Sequence, residues 1–167
     1  GFLRDIRFLT NKFMTDKFVF AWDYGRQLRG YLLPTYKCSR KNKWLTCSDE
    51  DRQTRAELNR QMDLIRRHYL AELGYRNNFW QEGYEADDVI ASVIEEHSPD
   101  HTFLIVSSDK DLLQLLHCNV DIWDFGKRVT QGQFVKQWGI QPRSWAGVKA
   151  IAGCPGDCVS GIPRVGE

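Results

Sequence analysis

Apolar residues at Phe2, Leu3, Ile6, Leu9 and Phe13 recur at helical spacing, so residues 2–14 read as an amphipathic helix. The period then changes. Phe18-Val19-Phe20-Ala21-Trp22 is continuously apolar, and Lys17–Asp23 is predicted to be a buried strand. From Tyr24 to Ser48 the periodicity lapses into Gly, Lys and Arg with one Pro, which predicts loop or a labile helix. Ser48-Asp49-Glu50-Asp51 has capping-box spacing and opens a long helix to about Leu73, closed by Gly74. A short strand at Phe79–Glu82 precedes a helix over Glu85–His97, which Ser98-Pro99 ends. Thr102–Ser107 reads as a strand, Asp109–Leu116 as a helix and Val120–Phe125 as another strand. A helix follows over Gln131–Trp138, and Pro142 suits the first turn of one reaching Ala152. Strands alternating with helices predict an α/β fold, with a largely parallel central sheet flanked by helices.

At 167 residues the chain suits a single domain, 1–167. Apolar content of 42% supports a folded core, and no apolar run reaches the roughly 18–20 residues of a membrane span. No secretory signal is visible. Both ends read as cut, so the expectation is a domain truncated on either side. The five cysteines contain no CxxC pair, and Cys154-x3-Cys158 alone does not supply the four ligands of a zinc site. Reduced thiols are therefore expected. The net charge of +1 conceals an asymmetry: residues 1–80 carry 16 Lys/Arg against 9 Asp/Glu, and residues 81–167 carry 7 against 13. One half suits a polyanion and the other a cation.

The acidic residues carry the chemistry. Glu85-Ala86-Asp87-Asp88 opens an apolar-periodic helix, and Asp109 and Asp111 directly follow the run Phe103-Leu104-Ile105-Val106. Carboxylates gathered at the ends of buried elements repel one another, and a divalent cation bound through oxygen relieves them. Asp23 closes the first predicted strand, and ligands of open α/β sheets bind beyond the carboxyl ends of strands. Tyr36, Lys37, Arg40, Lys41 and Lys43 form a basic stretch with an aromatic, open to reading as a phosphate and base contact or as a solvated loop. Arg29 reads equally as a phosphate contact or an ion-pair partner. The six tryptophans read as packing residues, Trp44 excepted because it lies in the basic segment.

Gly83-Tyr84-Glu85-Ala86-Asp87-Asp88-Val89-Ile90 and Val106-Ser107-Ser108-Asp109-Lys110-Asp111-Leu112-Leu113-Gln114-Leu115 closely resemble motifs of the 5′–3′ exonuclease and flap endonuclease family. Phe18–Asp23 resembles that family's strand ending in a metal-binding Asp, and Tyr36-Lys37-x-x-Arg40 its segment at the base of a helical arch. Gly153–Gly166, with Asp157, resembles its last metal ligand and the first hairpin of a helix–three-turn–helix. The resemblance implies a PIN-like 5′-nuclease core, an arch segment over 24–58 and the start of the helix–three-turn–helix over 142–167. It implies DNA as partner, a monomer, and a bacterial cytoplasm or phage-infected cell. It further implies two Mg²⁺ ions, replaceable by Mn²⁺, with Asp23, Glu85 and Asp87 or Asp88 around one and Asp109, Asp111 and Asp157 around the other. Lys37 and Arg40 would contact the scissile phosphate, with Asp109 the third residue expected to be catalytic. Arg29, Tyr36, Lys41 and Lys149 would meet DNA, and the turn Gly161–Gly166 would present amides to a phosphate with K⁺.

Three departures stand against this pattern. The family's first strand and its Asp have no counterpart, Cys154 stands where many members have Asp, and Cys158 where Asn is common. Two rival readings therefore stay open, a structure-selective DNA-binding remnant without turnover and a PIN-like ribonuclease.

Overall fold

A computed structural model of the chain describes residues 1–25, 27–38 and 46–165. Arg40, Lys41, Lys43, Trp44 and Gly166 lie outside the described residues. Helix α1 spans Phe2–Phe13 and ends on Met14 in the left-handed region, φ 51°. It buries Ile6 and lays Phe2 against Phe20 and Trp22, with ring centroids 5.9 and 5.6 Å apart. Strand β1 is only Phe20–Ala21, shorter than the predicted Lys17–Asp23. Its parallel partner β2, Asn78–Phe79, offers just two residues to pair with. Helix α2 covers Gln27–Leu32, within the segment expected to be loop or labile helix.

Helix α3, Asp49–Leu64, starts as predicted: Ser48 Oγ accepts from the Asp51 amide at 3.1 Å. It has no buried residue. Its axis continues through a π-helical stretch, Ile65–Tyr69, to Leu70–Glu72, where Leu70 is fully buried. In that wider turn the Arg66 guanidinium lies between the Tyr24 and Trp80 rings, 5.4 and 5.2 Å from their centroids. The core thus takes hold of this long helix only at its far end.

The core lies in the second half of the chain. Helix α4 (Ala86–His97) precedes strand β3 (Phe103–Val106), which pairs in parallel with β4 (Val120–Asp124). Between them runs a 3₁₀ helix, Lys110–Leu115, in place of the predicted α-helix. Strand β5, Lys127–Val129, returns antiparallel to β4 as a hairpin that periodicity did not reveal. Helix α5 spans Gln131–Trp138, as predicted: Thr130 and Gln133 form a capping box, and Gly139 closes it at φ 69°. A 3₁₀ turn at Pro142–Ser144 leads into α6, Trp145–Ala152. Strands β6 (Gly153–Cys154) and β7 (Val159–Ser160) form a small hairpin. Among the described residues the sheet is accordingly divided into three small pieces, with parallel pairing in the first two.

Trp145 is the hub of this packing. It is fully buried, meets Phe134 edge-on at 5.6 Å and Trp138 at 4.7 Å, and donates its indole N–H to the Lys110 carbonyl at 2.8 Å. A buried indole needs such an acceptor. Here the acceptor is the backbone of the acidic turn after β3, so core packing fixes where Asp109 and Asp111 stand. No helix among the described residues is long and apolar enough to cross a membrane.

Candidate metal centre

Asp23 follows β1, and its Oδ1 accepts from the Ala86 amide at 2.7 Å. That amide is the first of α4, where helix N–H groups lack intrahelical acceptors. Asp88, one turn in, reaches back to accept from the Glu85 amide at 3.0 Å. The start of α4 is therefore held by carboxylates from two segments, and Glu85, Asp87 and Asp23 gather at one helix end.

Glu85 is only 6% exposed, which is tolerable for a charge because three donors surround it. Lys37 Nζ donates to Oε1 at 2.6 Å and Tyr36 OH to Oε2 at 2.8 Å, while Arg29 Nη1 lies 3.4 Å from Oε2. Burial works against the Glu85 charge, but the hydrogen bonds from Lys37 and Tyr36 outweigh it and hold its carboxyl below the usual value. Arg29 grips Asp88 with both terminal nitrogens, at 2.5 and 2.9 Å. Burial again opposes the charge, and the guanidinium again prevails. Arg29 is thus engaged with the acidic cluster, the ion-pair side of its two sequence readings.

Asp87 has the opposite environment. Burial, and then the charges of Asp109, Asp23 and Glu85, push its carboxyl up from 3.8 to about 6. Helix α4 also contacts the 3₁₀ helix after β3, so the two acidic motifs, 22 residues apart in the chain, lie near one another. Asp109 caps the 3₁₀ helix, its Oδ1 accepting from the Asp111 amide at 2.9 Å and its own amide donating to Ser107 Oγ at 3.0 Å. Asp111 faces Lys149 Nζ of α6 at 3.5 Å. Asp109, Asp111, Lys149, Cys154 and Asp157 line an open cleft of about 480 Å³. Cys154 Sγ lies 3.6 Å from Asp157 Oδ2, in the position where the family resemblance leads one to expect an acid.

Among the described residues, no three His, Cys, Asp or Glu side chains are drawn together at ligand spacing. The donor set nevertheless fits a hard divalent cation: it is all carboxylate oxygen, and Asp87 cannot hold its charge at ordinary cost beside three other anions. Glu85 and Asp88 already have cationic partners, so they suit contact through bound water unless Lys37 and Arg29 withdraw.

Two features were missed in the sequence. Cys38 and Cys158 are joined by a disulfide, Cα atoms 6.2 Å apart, which corrects the expectation of reduced thiols for that pair. Their separation of 120 residues gives no pattern to read. Cys47, Cys118 and Cys154 are free. His97 and His101, four apart, bring their rings to 6.3 Å, but at the amino end of β3, away from the acidic turn. Of the hairpin glycines, Gly153 and Gly161 approach so closely that a Cβ on Gly153 would lie 2.7 Å from Gly161 Cα.

The family model for the 5′-3′ exonuclease, N-terminal resolvase-like domain, matches residues 1–139. A 5′-3′ exonuclease of Bacillus subtilis is 29% identical over 174 residues, covering 100% of this chain and 54% of that protein. DNA polymerase I of Mycobacterium tuberculosis is 32% identical over 155 residues, 88% of this chain and 16% of that protein. The chain thus spans about half the length of the Bacillus relative. Among solved structures, a bacteriophage T5 5′-exonuclease with bound zinc superposes with a TM-score of 0.84 at 22% identity, over 98% of this chain and 61% of that one. A bacteriophage T5 flap endonuclease complexed with DNA and metal ions gives 0.78 at 21%, over the same 98% and 61%. At such identities the two superpositions speak for the fold.

Proposed function

The chain belongs to the family of 5′-3′ exonuclease N-terminal, resolvase-like domains, and from that premise we propose that it forms the metal-binding core of a nuclease hydrolysing DNA phosphodiesters at 5′ ends or at flap and single-strand–duplex junctions. The observation that carries the reading is that α4 and the 3₁₀ helix after β3, each opening on carboxylates, contact one another, with Asp23 bonded to the first amide of α4; Asp87 is pushed up to about 6 there. Asp87 is held there against the repulsion of its neighbours, and perturbed carboxylates of this kind mark candidate functional sites.

Asp23, Glu85 and Asp87 or Asp88 would hold one Mg²⁺, some through bound water, and Asp109, Asp111 and Asp157 a second. Bound there, the ions would acidify a water and neutralise charge on the phosphate, with Mn²⁺ as a substitute. The remaining work falls to the chain. Lys37, beside Glu85, and Arg40 would bind the scissile phosphate, and Tyr36 would stack on a terminal base. Arg29 keeps Asp88 in place and is a candidate DNA contact once released from it. Lys41, Lys149, and the amides of Gly161 and Gly166 with K⁺ would follow the backbone of the duplex. The reading includes a monomer acting in a bacterial or phage-infected cytoplasm.

A labelled 5′-flap DNA incubated with the chain tests this. Cleavage at the junction with Mg²⁺ and none with chelator is the expected result. Cys154, where an acid is expected, favours the second reading of DNA binding without turnover, and binding with no cleavage in either condition would establish it. Cleavage confined to RNA would overturn both.

A further inference from the structure

The disulfide joins two segments that the proposed reaction uses. Cys38 directly follows Lys37, and Cys158 directly follows Asp157. The same two neighbours are hydrogen bonded, Lys37 N donating to Asp157 O at 2.8 Å. Lys37 and Cys158 both stand in the left-handed region, at φ 53° and 60°, which residues with a Cβ rarely adopt. Such conformations persist only where the surroundings over-determine them. Here the covalent bond acts together with hydrogen bonds that include Lys37 N to Asp157 O, Cys38 N to Thr35 O and Cys158 N to Pro155 O.

This crosslink decides where Lys37 points. Its ammonium is 2.6 Å from Glu85 Oε1 and 4.9 Å from the Tyr36 ring, and its side chain is 12% exposed. A divalent ion at Glu85 must meet or displace that positive charge. The crosslink anchors the Cα of Lys37, so an ammonium displaced by side-chain rotation stays within a side-chain's length of Glu85 and competes with the ion.

We propose that the Cys38–Cys158 bond is a thiol–disulfide switch on the metal centre, which when closed holds Lys37 on Glu85 and lowers affinity for divalent cations. The proposal rests on the metal-centre reading above. Closure removes two protons and two electrons from the two thiols and passes them to a small disulfide such as oxidised glutathione, which leaves as two thiols. Opening is the reverse exchange with a dithiol reductant, through a mixed disulfide. With the bond open, only hydrogen bonds hold the two segments, among them Lys37 N to Asp157 O, Cys38 N to Thr35 O and Cys158 N to Pro155 O, so the Lys37 segment can shift and carry its ammonium off Glu85. The redox state of the surroundings then sets how readily the site loads.

The test is calorimetric titration of Mn²⁺ into the chain, after equilibration with oxidised glutathione or with a phosphine reductant and removal of glutathione. Alkylation and peptide mapping of the same samples report the thiols. The oxidised chain should show Cys38 and Cys158 protected and bind Mn²⁺ about tenfold more weakly than the reduced chain, within the usual range for coupling between sites. The Cys38→Ser, Cys158→Ser double variant should bind like the reduced chain under both conditions. Should that variant fold poorly, Cys158→Ser alone opens the same bond. Equal affinity in the two redox states, or both thiols alkylated after oxidation, overturns the switch while leaving the metal centre intact. Absence of Mn²⁺ binding in every form overturns the metal-centre reading, and the switch with it.

Discussion

Replacing Asp87 with Asn should stabilise the metal-free protein, and the amount follows from its surroundings. Asp87 is lifted from 3.8 to about 6, by burial first and then by Asp109, Asp23 and Glu85. At 1.36 kcal/mol per pKa unit this corresponds to about 3 kcal/mol of destabilisation at neutral pH. Asp87 is only half-buried, and screening by solvent reduces the figure to about 1–2 kcal/mol. The sign follows from proton linkage. Between 3.8 and about 6 the folded chain binds more protons at Asp87 than the unfolded chain, so stability falls as pH rises through that window. Asn carries no charge at any pH. Asp87→Asn should therefore melt about 2–8 °C higher than the parent at pH 7.5 in chelator, given about 2–4 °C per kcal/mol at this size. Near pH 3.5 the parent carboxyl is protonated and the difference should vanish. Saturating Mn²⁺ should stabilise the parent by about 2.7 kcal/mol at one hundred times Kd, raising its melting temperature, and stabilise the variant less. Circular dichroism melts at the two pH values, with and without Mn²⁺, measure all of this. A variant melting at or below the parent at pH 7.5, or an advantage that persists at pH 3.5, would refute the argument.

Asp109→Ala should abolish flap cleavage while keeping DNA affinity within about threefold, since it removes chemistry rather than a contact; normal turnover would remove Asp109 from the site. Lys37→Ala should slow cleavage by about a hundredfold under single-turnover conditions, the scale of losing one donor to developing charge. An unchanged rate would end its assignment to the phosphate. Trp145→Ala should destabilise the fold by about 3–5 kcal/mol in urea titration, through the cavity left beside Phe134 and Trp138 and the loss of the indole hydrogen bond to the Lys110 carbonyl. Thr130→Ala should lose about 1 kcal/mol with the capping box of α5, and a loss of several would show that Thr130 does more than cap.

Local signals were legible where local physics decides. Helix α5 was bounded correctly because Thr130, Gln133 and Gly139 satisfy its ends within the segment itself. Elements set by distant partners were less so. The apolar run at Phe18–Trp22 became a two-residue strand because β2 offers only Asn78 and Phe79. The hairpins β4–β5 and β6–β7 are too short to show a period. In the site, the acidic residues stand out as clusters, but their partners do not. Arg29 reaches Asp88 across 59 positions, Tyr36 reaches Glu85 across 49, and Cys38 reaches Cys158 across 120. Only the folded chain brings the elements that carry Asp87 and Asp109 together, and nothing at spacing 22 announces it.

Helix α3 buries none of its sixteen residues. Substitutions along Asp49–Leu64 thus meet almost no penalty from the core, apart from helix propensity and the Ser48 cap. This stretch can drift in charge and length while Trp145 and its neighbours stay constrained. The chain therefore separates into a conservative part and a freely variable one. Selection acting on whatever the exposed helix touches can proceed without first repairing a damaged fold.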